Sequence, residues 1–424
     1  MISLSQNKKN EYLAFGLVLI MVFILGLKKL YSPDIGFHLE AGKWMLENGQ
    51  VMRTEQFTYT GSGTPYFDLN WLYQITVYKI FHWFSATGLV LFNSLLVSLS
   101  VFMLFVRMKV MNISKLHLAL ILLIIGIIPF PMEVRPHVVS VLFLNIMLYI
   151  LELYKFKKVN RLYVLPFIVL VWINFHSLGV LGIVVIGVYT VGSFWEEKKI
   201  DKRLLIYLLL SVVAMVITPF LLNGFLFIFK QFMIVSENGE MSKYVGELAT
   251  PFNLKGIEKY GIGYISKPYF FLHVFMAISG IAFIRLFRLK QYTLFLICTV
   301  FFLLLSLAEK NYVYFFFVVY PYIVLVSASK KDEKRKSSAL SRYVTPHRVY
   351  VISIIVAIII SWTSITGGFR LITDDPVQFG TGLDKQYLPV EATEFLVTNN
   401  MKGKLLNHFD FGGYLEYFYG QKTY

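Results

Sequence analysis

Apolar runs long enough to enter a bilayer punctuate the chain at residues 12–27, 88–106, 117–131, 137–154, 162–175, 178–195, 204–222, 268–284, 291–308, 313–328 and 349–367. A membrane-crossing helix needs about 20 apolar residues, so this pattern predicts an all-α polytopic membrane protein of about eleven transmembrane helices. The pair 162–175 and 178–195 is short enough to be read also as one broken span. Residues 1–367 then form the transmembrane domain, with polar loops at 28–87 and 223–267, and 368–424 form a short terminal segment.

Within the first loop, Ser32-Pro33-Asp34 has the chemistry of a helix start: a hydroxyl to cap, a proline for the first turn and a carboxylate where the helix dipole favours one. Phe37, Ala41, Trp44 and Met45 then share a face, which predicts an amphipathic helix over 34–48 lying along the membrane surface with Lys43 and Glu47 toward water. Gly61-Ser62-Gly63 marks a turn that folds the loop back, and Leu72 to Phe84 is apolar and helical. In the terminal segment, Pro389 to Val397 reads as a helix and Leu405 to Phe418 as a short strand or turn. That segment is too small for a core of its own and is expected to pack on the loops.

Composition agrees with the span pattern. Hydrophobic residues make up 57% of 424 positions and charged residues 15%, which excludes an ordinary soluble domain. Basic residues set the orientation: Lys8 and Lys9; Arg107, Lys109 and Lys115; Lys155 to Arg161; Lys198 to Arg203; Arg285 to Lys290; and Lys330 to Arg348 fall in alternate loops, which are therefore assigned to the cytoplasm. The net charge of +15 thus records membrane orientation, and no nucleic-acid partner is implied. The N-terminus is expected inside, the C-terminus and loops 28–87 and 223–267 outside. Leu25-Gly26-Leu27-Lys28-Lys29 lacks a small-residue cleavage site, so the first run reads as a retained span. The single cysteine, Cys298, allows no disulfide within one chain.

The candidate chemistry gathers in the first loop. Asp34 and His38, four residues apart on a helix, share a face where a carboxylate and an imidazole can deprotonate a hydroxyl or hold a divalent cation. Asp68 follows the glycine turn and is expected to return near Asp34, so that Asp34, Asp68 and His38 are the catalytic candidates and the candidate metal ligands; a helix-end role is the plainer alternative for Asp34 and Asp68, and an interfacial polar residue for His38. Arg135 and His137 flank Pro136 at a span mouth, a costly place for ionisable groups that face neither protein nor water. Asn174 and His176 occupy a tight turn, where capping of helix ends is the competing role. Arg53 and Glu247 lie in the two loops as a cation and an acid for substrate. The aromatic run from Tyr312 to Tyr322 is expected to face mainly lipid.

Pro33-Asp34-x-x-Phe37-His38-Leu39-x-x-Gly42 followed by Asp68-x-x-Trp71-Leu72 resembles the first outer loop of bacterial GT-C-type integral membrane glycosyltransferases, the polyprenyl-phosphate-sugar-dependent class related to protein mannosyltransferases. Arg135-Pro136, Trp172-x-Asn174-x-His176, Thr218-Pro219, Gly246-Glu247 and Asp410-x-Gly412-Gly413-Tyr414-Leu415 fit the same mould. The resemblance implies an extracytoplasmic site in a bacterial plasma membrane, where a sugar passes from a polyprenyl-phosphate donor to a glycan, lipid or protein acceptor among membrane lipids. Asp34 would be the base or acceptor-orienting acid, and Arg135, Arg53, Asn174, His176 and Glu247 would bind substrate or lipid phosphate. Two departures stand out: Glu309-Lys310-Asn311 replaces an arginine common before the late span, and the chain stops soon after Gly412-Gly413-Tyr414, where relatives tend to continue, which reads as a shortened terminus.

Other classes make different demands. An envelope polysaccharide polymerase or ligase favours arginine-rich outer loops, and a transporter favours mid-span charges and paired broken helices. A membrane scaffold makes no such demand. The acidic first loop and ionisable groups at span ends favour the transferase.

Overall fold

The computed structural model describes residues 4–113, 133–237, 250–252, 267–327, 345–373 and 377–420, together with Leu120, Leu123 and Ile127. Among the described residues, seven helices are long and apolar enough to cross a membrane, or eight if the pair 202–216 and 221–231, bent by 97°, is one span. Two shorter apolar helices lie at 162–175 and 292–307. The run 117–131 falls largely outside the described residues. The chain is an all-α polytopic membrane protein; among the described residues β pairing is confined to isolated bridges, among them Lys28 with Phe379, Leu30 with Leu383 and Thr54 with Pro65.

Helix α1 (Leu4–Gly26) leads to α2 (Ile35–Asn48) and α3 (Trp71–Val110). Ser85, at φ 54° and ψ −159°, breaks α3 into a limb of residues 71–84 and a limb of residues 86–110. Then follow α4 (Pro136–Lys157), α5 (Leu165–Phe175), α6 (Val180–Glu197), α7 (Lys202–Val216) and α8 (Leu221–Glu237). The second half contains α9 (Pro268–Arg288), α10 (Tyr292–Leu307), α11 (Tyr312–Ser327) and α12 (Pro346–Ile365), ahead of three short helices, α13 (Gly368–Thr373), α14 (Val390–Thr398) and α15 (Gly412–Phe418). Helix α3 packs on α1 and α4, α12 on α1, α5 on α7, and α10 on α6 and α11.

The aromatic run expected to face lipid is instead the centre of the bundle. From Tyr312 to Val324 every residue of α11 is buried, and Phe275 and Phe302 stack edge-on against Phe315. A helix apolar on all sides has no polar face to show and is stable when surrounded by other helices. Arg107 departs from its expected place as well, because it is fully buried rather than in a cytoplasmic loop. Its guanidinium pairs with Glu152 at 2.7 Å and donates to Asn145 Oδ1 at 2.9 Å and to the Phe317 carbonyl at 2.6 Å. Phe317 lies four residues before Pro321, which has no N–H to give it, so Arg107 supplies the donor the helix lacks. Tyr322 donates to Glu152 Oε1 at 2.7 Å and also meets Tyr189, completing a network among α3, α4, α6 and α11.

At one end of the bundle the first loop, the terminal segment and α8 form a layer, here called the loop end. Helix α2 is a packed element of that layer. Ile35 and Leu39 meet Tyr73 and Val77 of α3, while Ala41 and Met45 meet Met52 and Phe57. Glu47 is exposed and Lys43 pairs with Glu40 at 3.6 Å. The glycine turn forms as expected, with Gly63 at φ 82° and Glu55 exchanging backbone bonds with Gly63 and Thr64. Residues 28–30 pair with 378–384, and Gly382 and Leu30 share a backbone bond of 2.8 Å. Of the stretch 405–418, read from sequence as a short strand or turn, Leu405 lies in a β-bridge and 412–418 form the helix α15. It docks so tightly on α2 that a Cβ on Gly36 would lie 1.9 Å from the Gly413 carbonyl oxygen. Glycine is thus required there by close approach, not by backbone angle.

Candidate active site

Asp34 occupies the N-cap position of α2 with helical backbone angles, but its side chain makes no capping bond. Nor does Ser32 cap the helix. Its hydroxyl is buried and accepts from Arg135 Nε at 3.2 Å. Asp34 Oδ2 lies 3.3 Å from the same Arg135 nitrogen, and Glu133 Oε2 lies 2.7 Å from it. Arg135 is presented in extended conformation (φ −141°, ψ 158°) because the following Pro136 disfavours helical angles before it and opens α4. Asp34 is 53% exposed and Arg135 20%, so this carboxylate–guanidinium pair reaches the surface from a buried base. Glu133, which sequence reading passed over, belongs to the cluster; its signal was its position two residues before a span-mouth arginine.

His38, one turn along α2, is buried and does not share the exposure of Asp34. Its ring meets Tyr73 edge-on at 5.3 Å, and its Nδ1 lies 3.4 Å from Gln74 Nε2. Burial, with the Arg135 charge adding to it, lowers the His38 pKa to about 3, so the ring is neutral at physiological pH. His176 shares that state: burial first, then His137, His38 and Lys310, bring it down to about 3. A hydrogen-bond relay holds its ring, since Trp172 Nε1 donates to Ser140 Oγ at 2.8 Å and Ser140 Oγ is 2.7 Å from His176 Nδ1. Ser140 Oγ thus accepts from Trp172 and pairs with the His176 ring at the same time. Lys310, in the place of the expected arginine, is therefore electrostatically close to His176 of this cluster.

Asp68 has a perturbed carboxyl group. It is 1% exposed, its Oδ1 accepts from Asn70 N at 3.1 Å, and burial raises its pKa to about 7 against the opposing effects of Asn70 and Gln74. Tyr66 beside it is pushed up by burial and by Asp68, Glu55 and Glu416. Asp34 is tied to Arg135 while Asp68 neighbours Gln74, so the two carboxyl groups have separate partners. Among the described residues no three His, Cys, Asp or Glu side chains are gathered as a metal-binding group, so Asp34, Asp68 and His38 do not form the expected trio.

The remaining candidates divide cleanly. Asn174 is a junction: its Oδ1 accepts from Trp71 Nε1 at 2.9 Å and its Nδ2 donates to the Leu170 and Ile217 carbonyls at 2.8 and 3.0 Å. That fastens α3, α5 and the end of α7 together, the capping role rather than a ligand-binding one. Arg53 donates to the Pro219 carbonyl at 2.9 Å and lies over the Phe220 ring, tying the first loop to the start of α8. Glu247 lies outside the described residues.

No protein-family model matches the chain, and no curated protein matches it significantly.

Proposed function

We propose that the chain is a membrane glycosyltransferase of the GT-C type, moving a sugar from a polyprenyl-phosphate donor to an acceptor hydroxyl at the loop end. The observation that carries this reading is the Asp34–Arg135 pair, an exposed carboxylate held 3.3 Å from a guanidinium at the mouth of an apolar bundle. Lipid-linked transfer requires that pairing of charges in that setting. The acceptor must lose a proton as its oxygen attacks the anomeric carbon, and the departing lipid phosphate must be met by positive charge. The acceptor proton passes to the Asp34 carboxylate, the new bond forms between acceptor oxygen and anomeric carbon, and the old anomeric carbon–oxygen bond breaks with its electron pair to the phosphate. Arg135 and Lys310 are assigned to that phosphate, beside a neutral His176 ring that adds no charge. In this reading the loop end faces the outside of a bacterial plasma membrane, the N-terminus is cytoplasmic, and the acceptor is a glycan, lipid or protein. No step is routed through a divalent cation.

The test is donor turnover by the purified chain in vesicles, followed as release of polyprenyl phosphate. Arg135→Ala and Lys310→Ala are expected to raise KM for the donor while the protein stays folded. Donor binding that is unchanged in both variants removes the phosphate assignment.

A further inference from the structure

The terminal segment leaves and rejoins the first loop beside Asp34. Its first foot is backbone pairing: Leu30 N donates to the Gly382 carbonyl at 2.8 Å, Asp384 N donates to the Leu30 carbonyl at 2.9 Å, and the Tyr31 and Tyr387 rings meet edge-on at 6.3 Å. Its second foot is in the first turn of α15, where a Cβ on Gly413 would lie 3.1 Å from the Pro33 carbonyl oxygen and from the Phe37 nitrogen. Asp34 stands between those feet in the chain. From the second foot α15 runs parallel to α2. Gly413 is level with Gly36, whereas the Tyr417 ring lies 6.4 Å from that of Tyr78, and Tyr78 Cβ would be 2.8 Å from a Cβ on Gly42. The residues ahead of Gly413 therefore extend past the start of α2, the end at which Asp34 lies. Three residues ahead is Asp410, whose Cα is within about 10 Å of that of Gly413 by the reach of the chain.

The groups exposed at the two feet suit one kind of ligand. Tyr387 is 39% exposed at the first. Ahead of the second, His408 Nδ1 lies 3.6 Å from Asp410 Oδ2, and both side chains are more than half exposed. An aromatic ring offers a flat apolar face, and a carboxylate beside an imidazole offers acceptors and a donor for neighbouring hydroxyls. A sugar ring answers both, with an apolar C–H face and vicinal hydroxyls. An acyl chain would use neither the carboxylate nor the imidazole. We propose that the terminal segment is the acceptor-binding element of the site and that the acceptor is a glycan, its terminal sugar stacked on Tyr387 and hydrogen-bonded by His408 and Asp410, with one hydroxyl presented to Asp34. This rests on the transferase reading and narrows its acceptor to one class. The segment is fastened in that place between its feet as well: Lys404 lies over the Tyr59 ring of the glycine hairpin at 5.4 Å, and Tyr419 donates to the Met401 carbonyl.

The experiment measures binding of the methyl glycosides of glucose, galactose, mannose and N-acetylglucosamine to the full chain in lipid nanodiscs by saturation-transfer NMR without donor, and then transfer to the glycoside that binds. At least one glycoside is expected to bind with its ring protons against aromatic protons of the protein. Tyr387→Ala is expected to weaken that binding about tenfold and Tyr387→Phe to keep it, because the ring and not its hydroxyl stacks; Asp410→Ala is expected to weaken it about fivefold. In the turnover assay the two alanine variants are expected to raise KM for the glycoside and leave KM for the polyprenyl-phosphate donor unchanged, a split that a loosened fold would not give. Binding of none of the glycosides, or binding that neither alanine variant weakens, overturns the proposal. Transfer to a peptide or lipid acceptor at the wild-type rate in Tyr387→Ala overturns it too. A glycoside that binds as described to a chain that turns over no donor contradicts the transferase reading alone.

Discussion

Two arginines, Arg107 and Arg135, each reach for a glutamate, and their surroundings differ in every other respect. Arg107 is fully buried and all its neighbours, Glu152, Asn145, Tyr322 and the Phe317 carbonyl, answer one another. Arg135 sits at the loop end, where its nitrogen is shared among Ser32, Glu133 and a half-exposed Asp34, beside buried histidines kept neutral. A saturated network fixes helices; a cluster that reaches the surface with charge in hand can meet a substrate. In the proposed reading the contrast separates holding from acting, and it can be broken by substitution.

The largest expected effect is in the core. Arg107→Met strands the Glu152 charge and the Phe317 carbonyl together, and loss of one partner of a buried pair costs about 3–5 kcal/mol, read as a lower Tm in detergent. Replacing both partners, Arg107→Met with Glu152→Leu, is expected to recover part of that loss, because no charge is then left unpaired. If the single variant melts like the wild type, the core network is not the fastening described here.

Next comes the seam between α2 and α15. Gly36→Val drives a side chain into the Gly413 carbonyl and is expected to cost about 1–3 kcal/mol, with faster proteolysis of the terminal segment. Unaltered proteolysis would show that the segment is not clamped on α2.

The reach of sequence reading follows the same divide. Helix α2 was legible because its apolar spacing is local, and the glycine turn because glycine tolerates the positive φ that Gly63 adopts. Asp34 and Arg135 stood out in the sequence as motif residues. Their contact did not, for it joins positions a hundred residues apart. Arg107 read as a cytoplasmic charge because proximity to a span end looks the same whether the side chain points to water or to a neighbouring helix. The aromatic α11 misled for a similar reason: hydropathy records that a helix avoids water, not whether lipid or protein surrounds it. Asn174 resolved into a junction only when Trp71 and Ile217 were in place around it.

A smaller effect is expected from pH, with opposite signs for the histidines and the aspartate. His38 and His176 have pKa values lowered from 6.5 to about 3, so the unfolded chain binds more protons as pH falls below 6.5 and their contribution to stability is lost on acidification. Asp68 is raised from 3.8 to about 7, so its contribution is present at low pH and lost as pH rises through that window. Between about pH 7 and pH 5, His38→Gln is expected to lose less Tm than the wild type and Asp68→Asn to lose more. Parallel curves for all three proteins would remove the electrostatic account of the loop end.

The smallest effect on stability, within about 0.5 kcal/mol, is expected where the effect on activity is greatest. Asp34→Asn keeps the size of a half-exposed side chain that makes no capping bond. Sugar transfer from a polyprenyl-phosphate donor by this variant, measured beside its Tm, addresses the central claim most directly. The account predicts an unchanged Tm with transfer abolished; transfer at the wild-type rate would contradict it.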